Sequence, residues 1–198
     1  MAEETRFTVG DEASCSDGPC GVVRRFVIDP ATETVTHLVI EPKHGDEPGR
    51  LVPMDLIDTT TGAIRLRCAI AEFNNLDPAE ERELVETAGI GFSMPGGPPA
   101  GIPEPAQIII QDVVPAGEIE MSPGDLVHAL DGAIGRVQGF LVDSGDHRMT
   151  HVLLRKGHLW GRKEVAVPVS AVTGVEDGIR LNMTKKQVGD LPPAGHRG

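Results

Sequence analysis

The residues best suited to contact a partner lie in one short stretch of the second half of the chain. Two β-type runs, 150–155 and 163–168, flank a glycine-bracketed turn and predict a hairpin. Cationic side chains beside an aromatic ring suit an acidic protein surface or RNA. The predicted contact residues are Arg155, Lys156, His158, Leu159, Trp160, Arg162 and Lys163. The alternative interpretation is that Leu159 and Trp160 pack on a barrel and that the basic residues form a solvated rim.

The histidines and cysteines show no metal-ligand spacing. His37 and His151 occupy equivalent strand positions, where a metal or proton-transfer role competes with that of a hydrogen-bonded strand residue. The second interpretation is favoured because neither histidine has a ligand-type neighbour in sequence. Cys15 and Cys20 bracket a turn, where a disulfide or a metal pair is conceivable, but without two further ligands they do not form a zinc set. With Cys68 they are interpreted as core residues, and we predict no metal and no cofactor.

Enzyme motifs are also missing from the sequence. It contains no nucleophile elbow, phosphate-binding loop or dinucleotide-binding glycine pattern. We predict no catalytic residue and a protein that is not an enzyme. An active site assembled between two domains remains a third hypothesis.

Composition indicates a turn-rich globular protein. The 198 residues include 24 glycines and 16 prolines, and aromatic content is only 3%, so the core must rest on Val, Ile and Leu. No apolar run approaches the roughly 20 residues of a membrane helix, and no signal peptide is visible, so we expect a bacterial-type cytoplasmic protein without a membrane span. Residues 1–117 carry 20 acidic and 8 basic groups, whereas residues 118–198 carry 10 of each. The acidic first part argues against broad nucleic-acid binding there.

An internal duplication organises the chain. The matches at an offset of 114 residues include Gly10-Asp11 with Gly124-Asp125, Asp17-Gly18 with Asp131-Gly132, and Thr36-His37 with Thr150-His151. After one extra residue in the second hairpin the offset is 115, and the matches include Val52-Pro53 with Val167-Pro168 and Ile64-Arg65-Leu66 with Ile179-Arg180-Leu181. Each copy contains five or six short strands with tight turns, which predicts a small closed barrel. Broken alternation after Val23 and Val137 predicts a β-bulge in both copies.

A helix and a linker are predicted between the copies. Asp77-Pro-Ala-Glu80 fits a capping box with proline at the first helical position, which predicts a helix over 78–88. The second copy has a weaker echo at 184–187, enough for one helical turn. Residues 94–105 are rich in proline and glycine and predict an extended linker. The apolar run 108–110 is expected to add a strand or lie across a barrel.

These patterns predict an all-β protein with three parts. The first is a divergent, acidic barrel over residues 1–76. The second is an acidic helix and Pro/Gly-rich linker over 77–117, and the third is a barrel over 118–198. We also predict that residues 5–76 and 119–191 share one strand order.

The strands of the second copy carry a distinctive set of motifs. These motifs are Ile134-Gly-Arg-Val137, Phe140, Asp143, Thr150-His-Val-Leu-Leu154, Val165-Ala-Val-Pro168 and Ile179-Arg-Leu-Asn-Met-Thr184. In these residues the second copy resembles the PRC-barrel family. The resemblance covers about residues 120–193, and a more divergent version covers about 5–78. The family includes the cytoplasmic domain of the photosynthetic reaction-centre H subunit and the C-terminal domain of the ribosome maturation factor. It implies two PRC-like barrels that bind or assemble with a partner.

We therefore expect a non-enzymatic interaction or scaffold module of the cytosol, which binds a protein partner or associates with itself. The alternative is a ribosome- or RNA-associated factor that contacts its target through the basic hairpin of the second barrel. Two departures weaken the best-known family roles, since the sequence shows neither the membrane helix of the H subunit nor the N-terminal domain of the maturation factor.

Overall fold

Strands dominate the computed structural model, which describes residues 4–43, 47–58, 63–85, 107–122, 124–156, 164–175 and 178–194. Two sheets curl into two small barrel-like units, as the duplication predicted. Among the described residues, no helix is long and apolar enough to cross a membrane.

The first sheet is built mainly from the first copy. The strands of that copy are β1 (Glu4–Thr8), β2 (Glu12–Cys15), β3 (Gly18–Asp29), β4 (Thr34–Pro42), β5 (Arg50–Pro53), β6 (Ile57–Asp58) and β7 (Ile64–Leu66). The order along the sheet is β5-β4-β3-β2-β7-β6. Its neighbours are antiparallel except β2 and β7, which are parallel.

The second sheet repeats this arrangement. The remaining strands are β8 (Glu80–Val85), β9 (Gln107–Asp112), β10 (Ile119–Met121), β11 (Leu126–Ala129), β12 (Gly132–Asp143), β13 (Met149–Lys156), β14 (Glu164–Pro168), β15 (Val172–Gly174) and β16 (Ile179–Leu181). The order β14-β13-β12-β11-β16-β15 is that of the first sheet, strand for strand. The predicted common strand order is thus confirmed.

The predicted bulges are present in both long strands. The register between β3 and β4 shifts between Val23 and Arg25, and the register between β12 and β13 shifts between Val137 and Gly139. These are equivalent positions at the offset of 114. A bulge increases local twist, which helps each sheet to curl.

The leading strand of each copy crosses to the other copy. Strand β1 pairs with β12, placing Phe7 opposite Phe140, and β10 pairs with β3, placing Met121 opposite Phe26. Strand β1 lies so close to β12 that a Cβ at Gly139 would stand 2.0 Å from the Phe7 carbonyl oxygen. The sequence did not predict this reciprocal exchange.

One hydrophobic core joins the two units. The buried cluster includes residues of both copies, and the equivalent rings of Phe26 and Phe140 meet edge to face with their centroids 5.0 Å apart. Both rings are fully buried. The two copies therefore share one packed interior.

Two short helices close equivalent ends of the copies, and neither is the helix predicted over 78–88. They are α1 (Ile70–Asn74) and α2 (Lys185–Gly189), equivalent at the offset of 115. The predicted turn at 184–187 is confirmed, since the Thr184 hydroxyl accepts a hydrogen bond from the Gln187 amide. The helix over 78–88 is wrong, because residues 80–85 form β8 and pair with β9.

Distant backbone contacts explain why β8 is a strand. The Leu51 amide donates to the Asp77 carbonyl, and the Ala79 amide donates to the Gly49 carbonyl. Ala79 is completely buried, which fixes the entry to β8 in an extended conformation. The partner β9, which contains the apolar run 108–110, lies more than twenty residues away. That run does add a strand, but it pairs with β8 and not with a barrel strand.

Candidate interaction surface

The structure describes only the start of the predicted contact hairpin. Strands β13 and β14 pair as predicted, with Arg155 opposite Glu164. Arg155 is exposed, and Lys156 is the last residue of β13. The other predicted contact residues lie outside the described residues, namely His158, Leu159, Trp160, Arg162 and Lys163.

Arg155 belongs to a larger outer face of the second sheet. It stands opposite Arg136, which stands opposite Leu126, and side chains of directly opposed residues share one side of a sheet. On the neighbouring strands His128 lies beside Arg180. We call this set the basic face, and it consists of Leu126, His128, Leu130, Arg136, Arg155 and Arg180.

The basic face contains exposed leucines that the fold does not require. Leu130 is 69% exposed and Leu126 is 41% exposed, and they are the exposed large hydrophobic residues of the described chain. Leu130 borders a shallow depression of about 470 Å³ together with His128 and Arg180. Exposed apolar groups set among polar ones are a common mark of a contact surface.

The arginines of this face are largely available for intermolecular contact. Arg136 donates to the backbone carbonyl of Gly124. The carboxylate opposite Arg155 is engaged elsewhere, because both Glu164 oxygens accept from Arg6, at 2.6 and 2.7 Å. Within the described residues, Arg155 and Arg180 form no ion pair.

The same face of the first copy has the opposite chemistry. Its residues, in the order given for the basic face, are Glu12, Ser14, Ser16, Val22, Glu41 and Arg65. Its two acidic groups are internally neutralised, Glu41 by Arg24 and Glu12 by Lys43. The same strand arrangement thus carries an acidic, hydroxyl-rich face in the first copy and an arginine- and leucine-rich face in the second. Apart from Arg155, the residues of the basic face were not predicted from the sequence. A position-by-position comparison of the two aligned copies would have identified them.

The paired histidines connect exchanged strands. The His37 Nδ1 atom lies 3.6 Å from a Glu118 carboxylate oxygen, and the His151 Nδ1 atom lies 3.7 Å from one of Glu4. Each Nδ1 is also 3.0 Å from the hydroxyl of the preceding threonine. The two glutamate partners could not be predicted from the sequence around each histidine, because each glutamate comes from the other copy. Within the described residues, no group of three or more His, Cys, Asp or Glu side chains is arranged to hold a metal ion.

Three buried thiols come together in the first unit. Cys15, Cys20 and Cys68 are unpaired and at most 6% exposed. Burial, and then the neighbouring Cys20 thiol, raises the pKa of Cys15 to about 12. Burial also raises the pKa of Cys20 and of Cys68. Such thiols stay protonated near neutral pH and are poor nucleophiles and poor metal ligands.

The comparisons with known proteins give no assignment. No protein-family model matches the chain, and the search of curated proteins finds no match. The function must therefore be argued from the site itself.

Proposed function

We propose that this protein is a non-enzymatic interaction or assembly module that binds a protein partner through the basic face and the adjoining hairpin. The observation that carries the proposal is the contrast between the outer faces of the two copies. A duplicated scaffold gives both faces the same backbone, so stability alone does not call for Leu126 and Leu130 where the first copy has Glu12 and Ser16. Contact with an acidic partner that also offers apolar side chains accounts for both the leucines and the arginines.

A protein partner fits this face better than RNA does. The described part of the face offers two leucines and no Phe, Trp or Tyr on which a base could stack. The net charge of −12 repels a phosphate backbone at long range. Binding to RNA or the ribosome remains the second candidate because Arg155 and Arg180 are free of ion pairs within the described residues and the hairpin sequence adds Arg162 and Lys163.

The proposal includes two barrels of the PRC type and a cytoplasmic location. The shared strand order of the two units and the bulge in each long strand support the barrel assignment. Three unpaired thiols within one cluster support a reducing compartment, where disulfides are rare.

The test is to replace residues of the basic face with the equivalent residues of the first copy. The variant carries Leu126→Glu, Leu130→Ser and Arg155→Glu, each a residue that the first copy already holds at the equivalent position. Partners are captured from the native host with the wild-type protein and identified by mass spectrometry. Each partner is then purified and titrated against the wild type and the variant. We expect at least a tenfold loss of affinity with an unchanged melting temperature.

The matched control is Glu12→Ala on the acidic face, which should bind the partner normally. Equal binding by the wild type and by the variant with the exchanged face would contradict the proposal. Nuclease-sensitive capture of RNA, lost in the same variant, would instead establish the second candidate.

Trp160 gives a second test at the hairpin. A desolvated tryptophan contributes about 2 kcal/mol or more to an interface, whereas an exposed ion pair contributes about 0–1 kcal/mol. Trp160→Ala should therefore weaken partner binding or self-association far more than Arg162→Ala, with the fold intact. Loss of the fold in Trp160→Ala would assign the residue to the core and remove it from the contact set.

A further inference from the structure

A cleft of about 510 Å³ lies where the two copies meet. Its walls are mostly apolar and come from both copies. The apolar side chains that line it are Ile28, Pro30, Ile119, Met149, Val169, Val172 and Val175. The volume lies within the range of small-molecule sites, and such sites favour junctions between domains.

On the other side of the molecule, the described counterparts of several cleft residues are buried or hydrogen-bonded. The residues there, each given with its counterpart in the cleft, are Thr5 for Ile119, Ser144 for Pro30, Met54 for Val169 and Ile57 for Val172. The Thr5 and Ser144 hydroxyls share a hydrogen bond of 2.9 Å, and Met54 and Ile57 are each only 2% exposed. On the cleft side Ile119, Val169 and Val172 all remain partly exposed. At these described positions the duplicated scaffold is therefore packed on one side and left open and apolar on the other.

Two charged side chains of opposite sign border the cleft and orient a charged ligand. Arg180 lines it and forms no ion pair within the described residues. Glu33 and Thr173 also border it. A ligand carboxylate is attracted by the Arg180 guanidinium, which can hold it through two parallel hydrogen bonds, and is repelled by Glu33. The two charges together orient an anionic ligand and disfavour its placement away from Arg180.

We propose that this cleft binds a small amphipathic carboxylic acid, with its hydrocarbon part against Ile119, Val169 and Val172 and its carboxylate on Arg180. The hydrocarbon covers apolar walls that are otherwise in contact with water, which gives the main driving force. The carboxylate supplies selectivity over alcohols and amines of equal length. The cleft shares Arg180 with the basic face, but the rest of its lining lies outside that face, so ligand binding does not require a bound partner.

Calorimetric titration of the full-length protein with decanoate, decanol and decylamine tests the ligand class. All three are used below their micellar concentrations. Decanoate should bind at least tenfold more tightly than the other two, because only decanoate satisfies both the apolar walls and Arg180. Equal binding of decanol, or tighter binding of decylamine, would refute the assignment, as would no measurable decanoate binding.

Counterpart substitutions locate the binding. Val169→Met with Val172→Ile imports the buried counterparts Met54 and Ile57 of the first copy, so the variant should fold normally while decanoate affinity falls at least tenfold. Arg180→Gln should reduce decanoate affinity about tenfold and leave decanol unchanged. The matched control Arg65→Gln changes the equivalent arginine of the first copy and should have no effect. Decanoate affinity that is unchanged in the valine variant, with its melting temperature preserved, would place the ligand elsewhere and overturn the proposal.

Discussion

Arg25 connects three parts of the fold through one side chain. Its guanidinium donates to Glu80 of β8 at 2.6 Å and to Glu120 of the exchanged strand β10 at 2.9 Å. Arg25 is 15% exposed and Glu120 is 12% exposed, so the loss of the arginine would leave carboxylates with little access to water. We expect Arg25→Ala to lower the free energy of unfolding by about 3 kcal/mol in urea titrations.

The neighbouring Arg24 supplies the control for this measurement. Its ion pair with Glu41 is exposed on both sides, and such pairs contribute about 0–1 kcal/mol. Arg24→Ala should thus stay within that range. Similar losses in the two variants would mean that the buried network has no special energetic role.

The buried thiols predict a pH dependence of stability at alkaline pH. The pKa of Cys15 is about 12 in the folded protein against an ordinary value of 9.0, so the unfolded chain loses its proton first as the pH rises. The contribution of this thiol is complete below pH 9 and is lost progressively between pH 9 and 12. Cys15→Ala, which copies Ala129 of the second unit, should lose less stability than the wild type between pH 8 and 10 in reducing urea titrations. Parallel pH profiles for the two proteins would contradict this.

At the scale of elements, only one of the two predicted helix N-caps is present in the structure. Thr184 is a true N-cap, whereas the backbone carbonyl of Asp77, not its side chain, makes the hydrogen bond that matters, to the Leu51 amide. Thr184→Ala should cost about 1 kcal/mol of unfolding free energy, and Asp77→Ala should cost less than about 0.5 kcal/mol. A large loss in Asp77→Ala would show that residues 78–88 have helical character in solution after all.

Local pattern and periodicity predicted the strands, the turns and the hairpin of β13 and β14, but not the pairings between segments far apart in the chain. Strand alternation, the bulges after Val23 and Val137 and the Thr184 cap all depend on neighbours within a few residues. The helix prediction over β8 was wrong because the glutamates of β8, and Pro78 just before it, favour a helix locally, while the pairing of β8 with β9 spans more than twenty residues. The Glu partners of His37 and His151 were missed for the same reason, since they arrive on exchanged strands.

At the scale of the whole molecule, electrostatics specifies which leading strand goes to which sheet. Arg6 of β1 and Glu120 of β10 are equivalent residues of opposite charge. In the exchanged arrangement Arg6 meets Glu164 and Glu120 meets Arg25. If each leading strand paired within its own copy, Arg6 would approach Arg25 and Glu120 would approach Glu164. The charges therefore favour the exchanged pairing over pairing of each leading strand within its own copy. Charged pairs commonly select one arrangement of similar elements in this way.

The exchange predicts that the two halves stay together without a continuous chain. A protease site introduced at residue 97 allows the folded protein to be cut between β8 and β9. We expect the halves to remain a one-to-one complex in size-exclusion chromatography and native mass spectrometry, because β1 and β10 each complete the other half's sheet around a shared core. Arg6→Glu should promote dissociation of the cut protein, since it places two carboxylates together at Glu164. Adding Glu164→Arg should restore the complex, which isolates the charge interaction from simple loss of packing. Separation of the wild-type halves on cutting, or a reversal at Arg6 that Glu164→Arg does not rescue, would show that charge does not direct the exchange.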